Sequence, residues 1–456
     1  MKNNKIDIFH EKISNILKLD ATYADIFVQS GSGHSVHYEN SRIEELSSSK
    51  SDGCGARIVI GDKTYYSHTA GMTANNINSA LTTVFNSAFN KNISAEIMGS
   101  NEFIDSVEKL SSPDIDVLHS IDTEIRNESQ YVRQVALRYS VSKKHILIIK
   151  PDGTISVDNR NYCSFIAQVI TERNGILQTG SERRCMAVPF ENFWEKGTPL
   201  YITKIALKRA LLMTEAKPCP AGKMKVLFAG EAGGTIVHEA CGHGLEADIV
   251  DKDYSIYRDK IGKKVAKETV TMVDDPTIPN LFGSYNFDDE GSSAHRNVLI
   301  ENGVLKKYIT DILSSKSLGL EATANGRRES YRNIPVPRMS NTFILPGDAT
   351  FESMLENANN GLYVKKMGGG EVNPTSGDFV FFVSEGYLIK NGKITEPVRG
   401  ATLTGNGPSV LENILELGNN LVMDPGICGK SGQGVPVTDG QPSMLIDGLT
   451  VGGSEA

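Results

Sequence analysis

Basic residues are not in excess in this chain of 456 residues: Lys and Arg number 47 against 55 Asp and Glu, for a net charge of −8. Nucleic-acid backbones are bound through lysine and arginine, and no Lys/Arg-rich run interleaved with aromatics occurs, so direct nucleic-acid contact is not expected. No run of 18 apolar residues is present, so nothing is expected to span a membrane. The first residues, MKNNKIDIFHEKISNILKL, hold no apolar core long enough for a signal peptide. Cysteine is sparse. The six (Cys54, Cys163, Cys185, Cys219, Cys241, Cys428) show no CxxC pairing, which excludes a disulfide frame as the working reading and fits a reducing cytoplasm. Gly368–Gly369–Gly370 lacks the Lys–Ser/Thr and the strand-to-helix setting of a P-loop. Internal repeats and low-complexity segments are also missing. What remains, 39% hydrophobic and 22% charged residues with 43 glycines, describes a globular protein with many turns.

The length exceeds one core. The fold class expected is α+β, with small N-terminal α/β units followed by a mostly β C-terminal domain that carries an exposed metal-binding helix. Three units are drawn at 1–110, 111–218 and 219–456, with boundaries at Ser111–Ser112–Pro113 and in Lys217–Gly222. Residues 5–19 show apolar residues at helical spacing. Residues 24–30, 35–40, 55–60 and 63–68 alternate as strands, the last two joined by a turn at Gly61–Asp62. Helices are expected at 74–90, 116–130, 188–196 and 199–215. Strands are expected at 131–142, 145–150, 163–172, 175–185 and 225–229.

The most informative segment is His238–Glu239–Ala240–Cys241–Gly242–His243. Two imidazoles bracket a carboxylate, and chance predicts on the order of 0.01 such hexapeptides in a chain of this composition. Neutral imidazole suits zinc, and a glutamate beside a metal-activated water suits proton removal in amide hydrolysis. The histidines are five apart rather than the four of HExxH. On a regular α-helix five residues turn through about 500°, leaving the second ring roughly 140° from the first. Two local devices bring them together: a π-turn at Ala240–Cys241–Gly242, or a helix that stops at Gly242 and swings His243 inward.

A catalytic zinc takes a third protein ligand. Cys428, in DPGICGKSGQG, is the first choice, because nearby Lys430 favours the thiolate and the stretch is too poor in apolar residues for a core. Glu246 and Asp248 compete as ligands, or else act as partners that orient an imidazole. Cys241 reads as a packing residue. Arg327, Arg328, Arg338 and Arg399 are candidates for supporting the reaction or holding a peptide carboxylate. Gly368, Gly369 and Gly370 would let a peptide backbone approach and pair as an added strand. Asp288–Asp289–Glu290 reads as a solvated or network-forming loop, with binding of a second cation or a peptide amine as the alternative.

With that hexapeptide, the late cysteine and the Gly-rich C-terminus together, the chain resembles the TldD/PmbA family, proteins historically called modulators of DNA gyrase. The blocks carrying the likeness are GTIVHEACGHGLEAD, FGSYNFDDEG, NGRRESYRNIPVPRMSNTFILPG, GGGEVNPTSGDFVF, PVRGATLTGNG and DPGICGKSGQGVPVTDGQPSM. Retention of the HExxxH pattern resembles the metal-bearing TldD branch. The resemblance implies zinc on His238, His243 and Cys428, Glu239 as general base, and a peptidase acting on unfolded or flexible peptides. It also implies a dimer, either a homodimer or a heterodimer with a metal-less relative. The rival readings are a non-catalytic zinc-binding regulatory or partner subunit, a topoisomerase regulator, and a small-molecule amidase.

Overall fold

The computed structural model describes residues 2–100, 102–107, 110, 115–194 and 197–453, excepting the side chains of 2–5. The boundary expected at Ser111–Ser112–Pro113 lies outside the described residues. The first half is organised by a seven-stranded sheet in the order β4-β3-β1-β5-β6-β7, with β2 also paired to β1. Its elements are α1 (Lys2–Leu17), β1 (Tyr23–Glu39), β2 (Arg42–Lys50), β3 (Gly53–Ile60), β4 (Lys63–Ala70), α2 (Ala74–Phe89), α3 (Ile115–Glu128), β5 (Val132–Ile149), β6 (Ile155–Arg173), β7 (Ile176–Met186), α4 (Phe190–Phe193) and α5 (Thr198–Glu215). The first two of the three expected units therefore share one sheet, while each keeps its own core. The threefold division itself remains a proposal.

Strand periodicity decides which face each residue serves. On β1, Ala24, Ile26 and Val28 pack with Ile13, Ile77 and Leu81 of α1 and α2. Farther along, Val36 and Tyr38 join Leu137, Phe165 and Val169 beneath Ile121 of α3 and Ala206 of α5. The alternate residues face the other way: Phe27, Ile146 and Ile148 close on Tyr331 of the C-terminal half. One face of the sheet is thus covered by helices and the other by the second half of the chain.

The second half is built on a twelve-stranded mixed sheet. At its centre β9 (Gly222–Phe228, following the short β8, Lys217–Pro218) lies parallel to residues 361–364 and antiparallel to the final strand Gln433–Gly452. That final strand also forms a long hairpin with Ile414–Lys430. Lys217–Pro218, expected to break regular structure, instead pairs with Val398–Arg399. Beyond β9 the chain turns and enters the segment Ile236–Gly242, which carries the HExxxH residues. This segment is not exposed as expected. Ile236, Val237, Ala240 and Cys241 are buried in the C-terminal core, and Cys241 is the packing residue the sequence suggests.

Arginines of the first sheet dock it onto the second half. Arg57 on β3 reaches Glu290 at 2.6 Å, Arg160 on β6 reaches Asp289 at 2.9 Å, and Arg183 on β7 reaches Asp424 at 2.8 Å. The acidic run Asp288–Asp289–Glu290 is therefore a buried network, not a solvated loop. Asp288 accepts backbone N–H bonds from Glu290, Ser292 and Gly326. Burial pushes the carboxyls of Asp288 and Glu290 above their ordinary range.

Candidate metal centre

Residues Ile236–Gly242 form a π-helix, in which the His243 N–H reaches back to the His238 carbonyl. A π-turn rotates less per residue than an α-turn, so positions i and i+5 come back toward one face. The two imidazoles lie with centroids 4.9 Å apart. Of the two local devices considered, the π-turn is the one present. Gly242 serves through its size: it sits at φ −60°, and an added Cβ would lie 2.0 Å from the Met339 sulfur. Gly234, four residues before His238, abuts the final strand so closely that a Cβ would meet Asp439 Cβ at 2.4 Å. That contact sets Asp439 beside His238.

The hairpin brings in the distant sulfur. Cys428 Sγ lies 3.6 Å from His243 Nε2. The ligand atoms of His238, His243 and Cys428 all lie within 4.8 Å of one another. Tetrahedral zinc with ordinary Zn–S and Zn–N bond lengths requires S···N separations of about 3.6 Å. The remaining ring nitrogens are occupied: Asp439 Oδ1 lies 2.7 Å from His238 Nδ1, and Glu246 Oε2 lies 2.9 Å from His243 Nδ1. Each carboxylate accepts from Nδ1–H and leaves Nε2 free to face inward, the arrangement of a metal-bound histidine. The donor set therefore fits a borderline divalent ion such as zinc.

Electrostatics agree with the geometry. Burial raises the Cys428 thiol, but the charge of His238 and hydrogen bonds from both histidines outweigh it, bringing its pKa down to about 5. Burial opposes the imidazolium form of both rings. Asp439 and Cys428 override this at His238, which is held well above its ordinary value, and Glu246 with Cys428 brings His243 to about 9. Thiolate beside imidazolium is the proton arrangement that a bound cation displaces. Burial also raises the Glu239 carboxyl against the pull of the two histidines.

Cys428 is buried beside Val435 and Val437, contrary to the expectation that its stretch is too polar for a core. The Lys430 ammonium is taken up by other groups. It binds Glu246, Asp248 and the Pro337 carbonyl. Glu246 thus stands behind His243 as its partner, and Asp248 is joined to Glu246 through Lys430.

His238 and Glu239 open onto a cleft of about 650 Å³. It is lined by Gln168, Thr179, Ser181 and Arg183 of β6 and β7, and by Lys366 to Gly370, Asp424, Gly426 and Ile427 of the second half. The Gly368–Gly369–Gly370 run is therefore brought to the site. Arg399 is not among the residues lining this cleft; its guanidinium donates to the Ala216 carbonyl. Arg327 and Arg338 are buried structural donors, Arg327 to the Met339 and Pro436 carbonyls and Arg338 to those of Cys428 and Gln433. Arg328 donates to the Asp289 carbonyl. Sequence reasoning missed Asp439, Arg183 and Asp424, since no local spacing ties them to the histidines.

Three family models match the chain: the PmbA/TldA metallopeptidase C-terminal domain over residues 221–453, domain 1 over 24–88 and the central domain over 105–214. The chain belongs to the PmbA/TldA metallopeptidase family. It is 36% identical over 471 residues to the metalloprotease TldD homolog of Buchnera aphidicola subsp. Schizaphis graminum, covering 99% of this chain and 97% of that one. It is also 36% identical over 450 residues to the metalloprotease TldD homolog of Haemophilus influenzae, covering 95% and 93%. TldE of Thermococcus kodakarensis shares the fold, with a TM-score of 0.75 at 16% identity, over 99% of this chain and 100% of that one. Among the described residues no helix is long and apolar enough to cross a membrane.

The hydrogen bond that Asp439 accepts from His238 Nδ1 leads to a direct expectation for the zinc site proposed below. Asp439→Asn should weaken zinc binding by about 10–100-fold, as loss of a carboxylate behind a metal-bound histidine does. Titration against a chromophoric chelator measures it, and an unchanged affinity would refute the role.

Proposed function

We propose that this protein is a zinc-dependent peptidase acting on unfolded or flexible peptides, with His238, His243 and Cys428 as metal ligands and Glu239 as general base. One observation carries the reading: His238 and Glu239 open onto a cleft that also holds Gly368–Gly370, and His238 is grouped with His243 and Cys428 as three zinc-type donors. Zinc held there would supply Lewis acidity toward the scissile carbonyl and lower the pKa of the attacking water.

The protein's own groups do the rest. Glu239 lies with Oε2 3.8 Å from His243 Nε2 and keeps 30% of its side chain exposed in the cleft. It takes the proton from the attacking water and delivers it to the leaving amine. Asp439 and Glu246 fix the tautomer and tilt of the two imidazoles. Among the described residues, strand Gly361–Val372 pairs along its length with Asp378–Lys390, but its other edge pairs with β9 only as far as Val364. Past that point the backbone around Gly368–Gly370 is available to an extended peptide. Glycine there removes the side chains that would hold a second backbone away. Recognition through main-chain hydrogen bonds tolerates varied sequences but demands an extended chain, which selects unfolded peptides. The proposal also includes a dimer, homodimeric or with a metal-less relative, located in the cytoplasm.

The test is metal analysis of the purified chain together with cleavage of an unfolded peptide, with and without a chelator. Stoichiometric zinc is expected, with cleavage lost on chelation and regained on zinc addition. Cleavage that persists in metal-free protein would refute the proposal.

A further inference from the structure

Lys430 spends every donor it has inside the protein. Its ammonium lies 2.6 Å from Asp248 Oδ1, 3.0 Å from Glu246 Oε2 and 3.0 Å from the Pro337 carbonyl. Its side chain is 12% exposed. An ammonium has three N–H donors and no acceptor, so these contacts fix it as a tripod. Lys430 and Cys428 are two residues apart on the strand Ile414–Lys430, and alternate residues leave the same face of a strand. Glu246 and Asp248 follow closely on His243. Two segments separated by some 180 residues in sequence are thereby tied together beside the S···N contact.

Charge makes the same point. Glu246 is 1% exposed and its Oε2 also accepts from His243 Nδ1 at 2.9 Å. Among the described residues, the ion pairs of Glu246 are with His243 and Lys430, so removing Lys430 strips this buried carboxylate of one of its two partners.

We propose that Lys430 is a positioning residue for the metal centre: its tripod sets the spacing between Cys428 and His243 and anchors the carboxylate that orients His243. This rests on the zinc reading above.

The test uses the full chain. Zinc affinity is measured by competition with a chromophoric chelator, and cysteine ligation by the thiolate-to-metal charge-transfer band of the cobalt-substituted protein. Lys430→Met is expected to bind zinc about 10–100-fold more weakly and to shift or weaken the band. Lys430→Arg should regain part of the affinity, because it restores the charge with a different donor geometry. If Lys430→Met does not fold, Asp248→Asn removes one leg of the tripod and should show a smaller loss in the same direction. Wild-type affinity and band in a folded variant would overturn the proposal, as would a change confined to the melting temperature of the metal-free protein. Failure of the zinc reading looks different: the wild type would lack the band, or Cys428→Ser would bind zinc as well as the wild type.

Discussion

Glu239→Gln is expected to retain zinc and to lose peptide hydrolysis by about 10²–10⁴-fold. The substitution preserves shape and removes only the ability to accept a proton. Glu239 lies outside the group of His238, His243 and Cys428, whose donor atoms cluster within 4.8 Å, so its loss should leave the metal in place. Its carboxylate is half-buried in the cleft, close enough to the rings to act on a water held between them. Proton transfer matters in the transition state and not in substrate binding, so kcat should fall while KM stays near its wild-type value. Metal content and steady-state kinetics on the same preparation decide the matter. Wild-type kcat in the zinc-loaded variant would remove Glu239 from the mechanism, while loss of zinc would mean that it serves the metal instead.

The part of the site legible in the sequence is the part encoded locally. His238, Glu239 and His243 fall within one hexapeptide, and their five-residue separation already demands an irregular helix. Cys428 stands out chemically, because few other side chains in its Gly-rich stretch suit a soft metal. Asp439 has no such signature. It reaches His238 through the register of a long hairpin, where it lies opposite Asp424, and through the close approach of Gly234. Lys430 was legible as a neighbouring charge but not in its role, since its partners come from Glu246, Asp248 and Pro337. The four arginines illustrate the converse: a cationic side chain in a glycine-rich block looks available for substrate, yet three of them are consumed by backbone carbonyls inside the core.

Periodicity located the helices and most strands of the first half, and the errors there share a cause. The breaks expected near Gly31–Gly33 on β1 and at Lys143–Lys144 on β5 do not occur. Those residues lie opposite one another in a continuous ladder, Gly31 against Lys144 and Ser32 against Lys143, so pairing overrides weak local propensity. Strand β2 escaped notice because its residues are almost all exposed and carry no buried alternation. The cleft wall was hidden for a related reason. Gln168 on β6 stands opposite Ser181 on β7, and that register places their polar side chains in the cleft shared with His238.

Arg57→Met should destabilise the protein by about 3–5 kcal/mol, the cost of breaking a buried ion pair by removing one partner. Arg57 sits opposite Asp25 in the β1–β3 ladder and binds it through Nε at 3.0 Å, while Nη1 reaches Glu290 at 2.6 Å. All three side chains are essentially inaccessible, at 1% or less. Methionine fills similar volume but leaves the two buried carboxylates without their shared ion-pair partner. Asp25 Oδ1 has no hydrogen-bond partner among the described residues. The deficit should shrink as pH falls toward 5, because an unpaired buried carboxylate escapes its cost by taking up a proton. The guanidinium midpoint at pH 7.5 and pH 5, read at constant slope, measures both effects. A loss below about 1 kcal/mol at pH 7.5, the size of an exposed pair, would show that the cluster contributes no more than a surface contact. Replacing all three groups with apolar residues should recover much of the stability, since the cost lies in the stranded charges. The functional consequence follows from where the remaining clasps lie. Arg160 and Arg183 still hold β6 and β7 against the second half, so the sheet should loosen first at β3 while the cleft wall stays seated. Cleavage of short peptides should therefore survive the substitution at temperatures where the first sheet has begun to open.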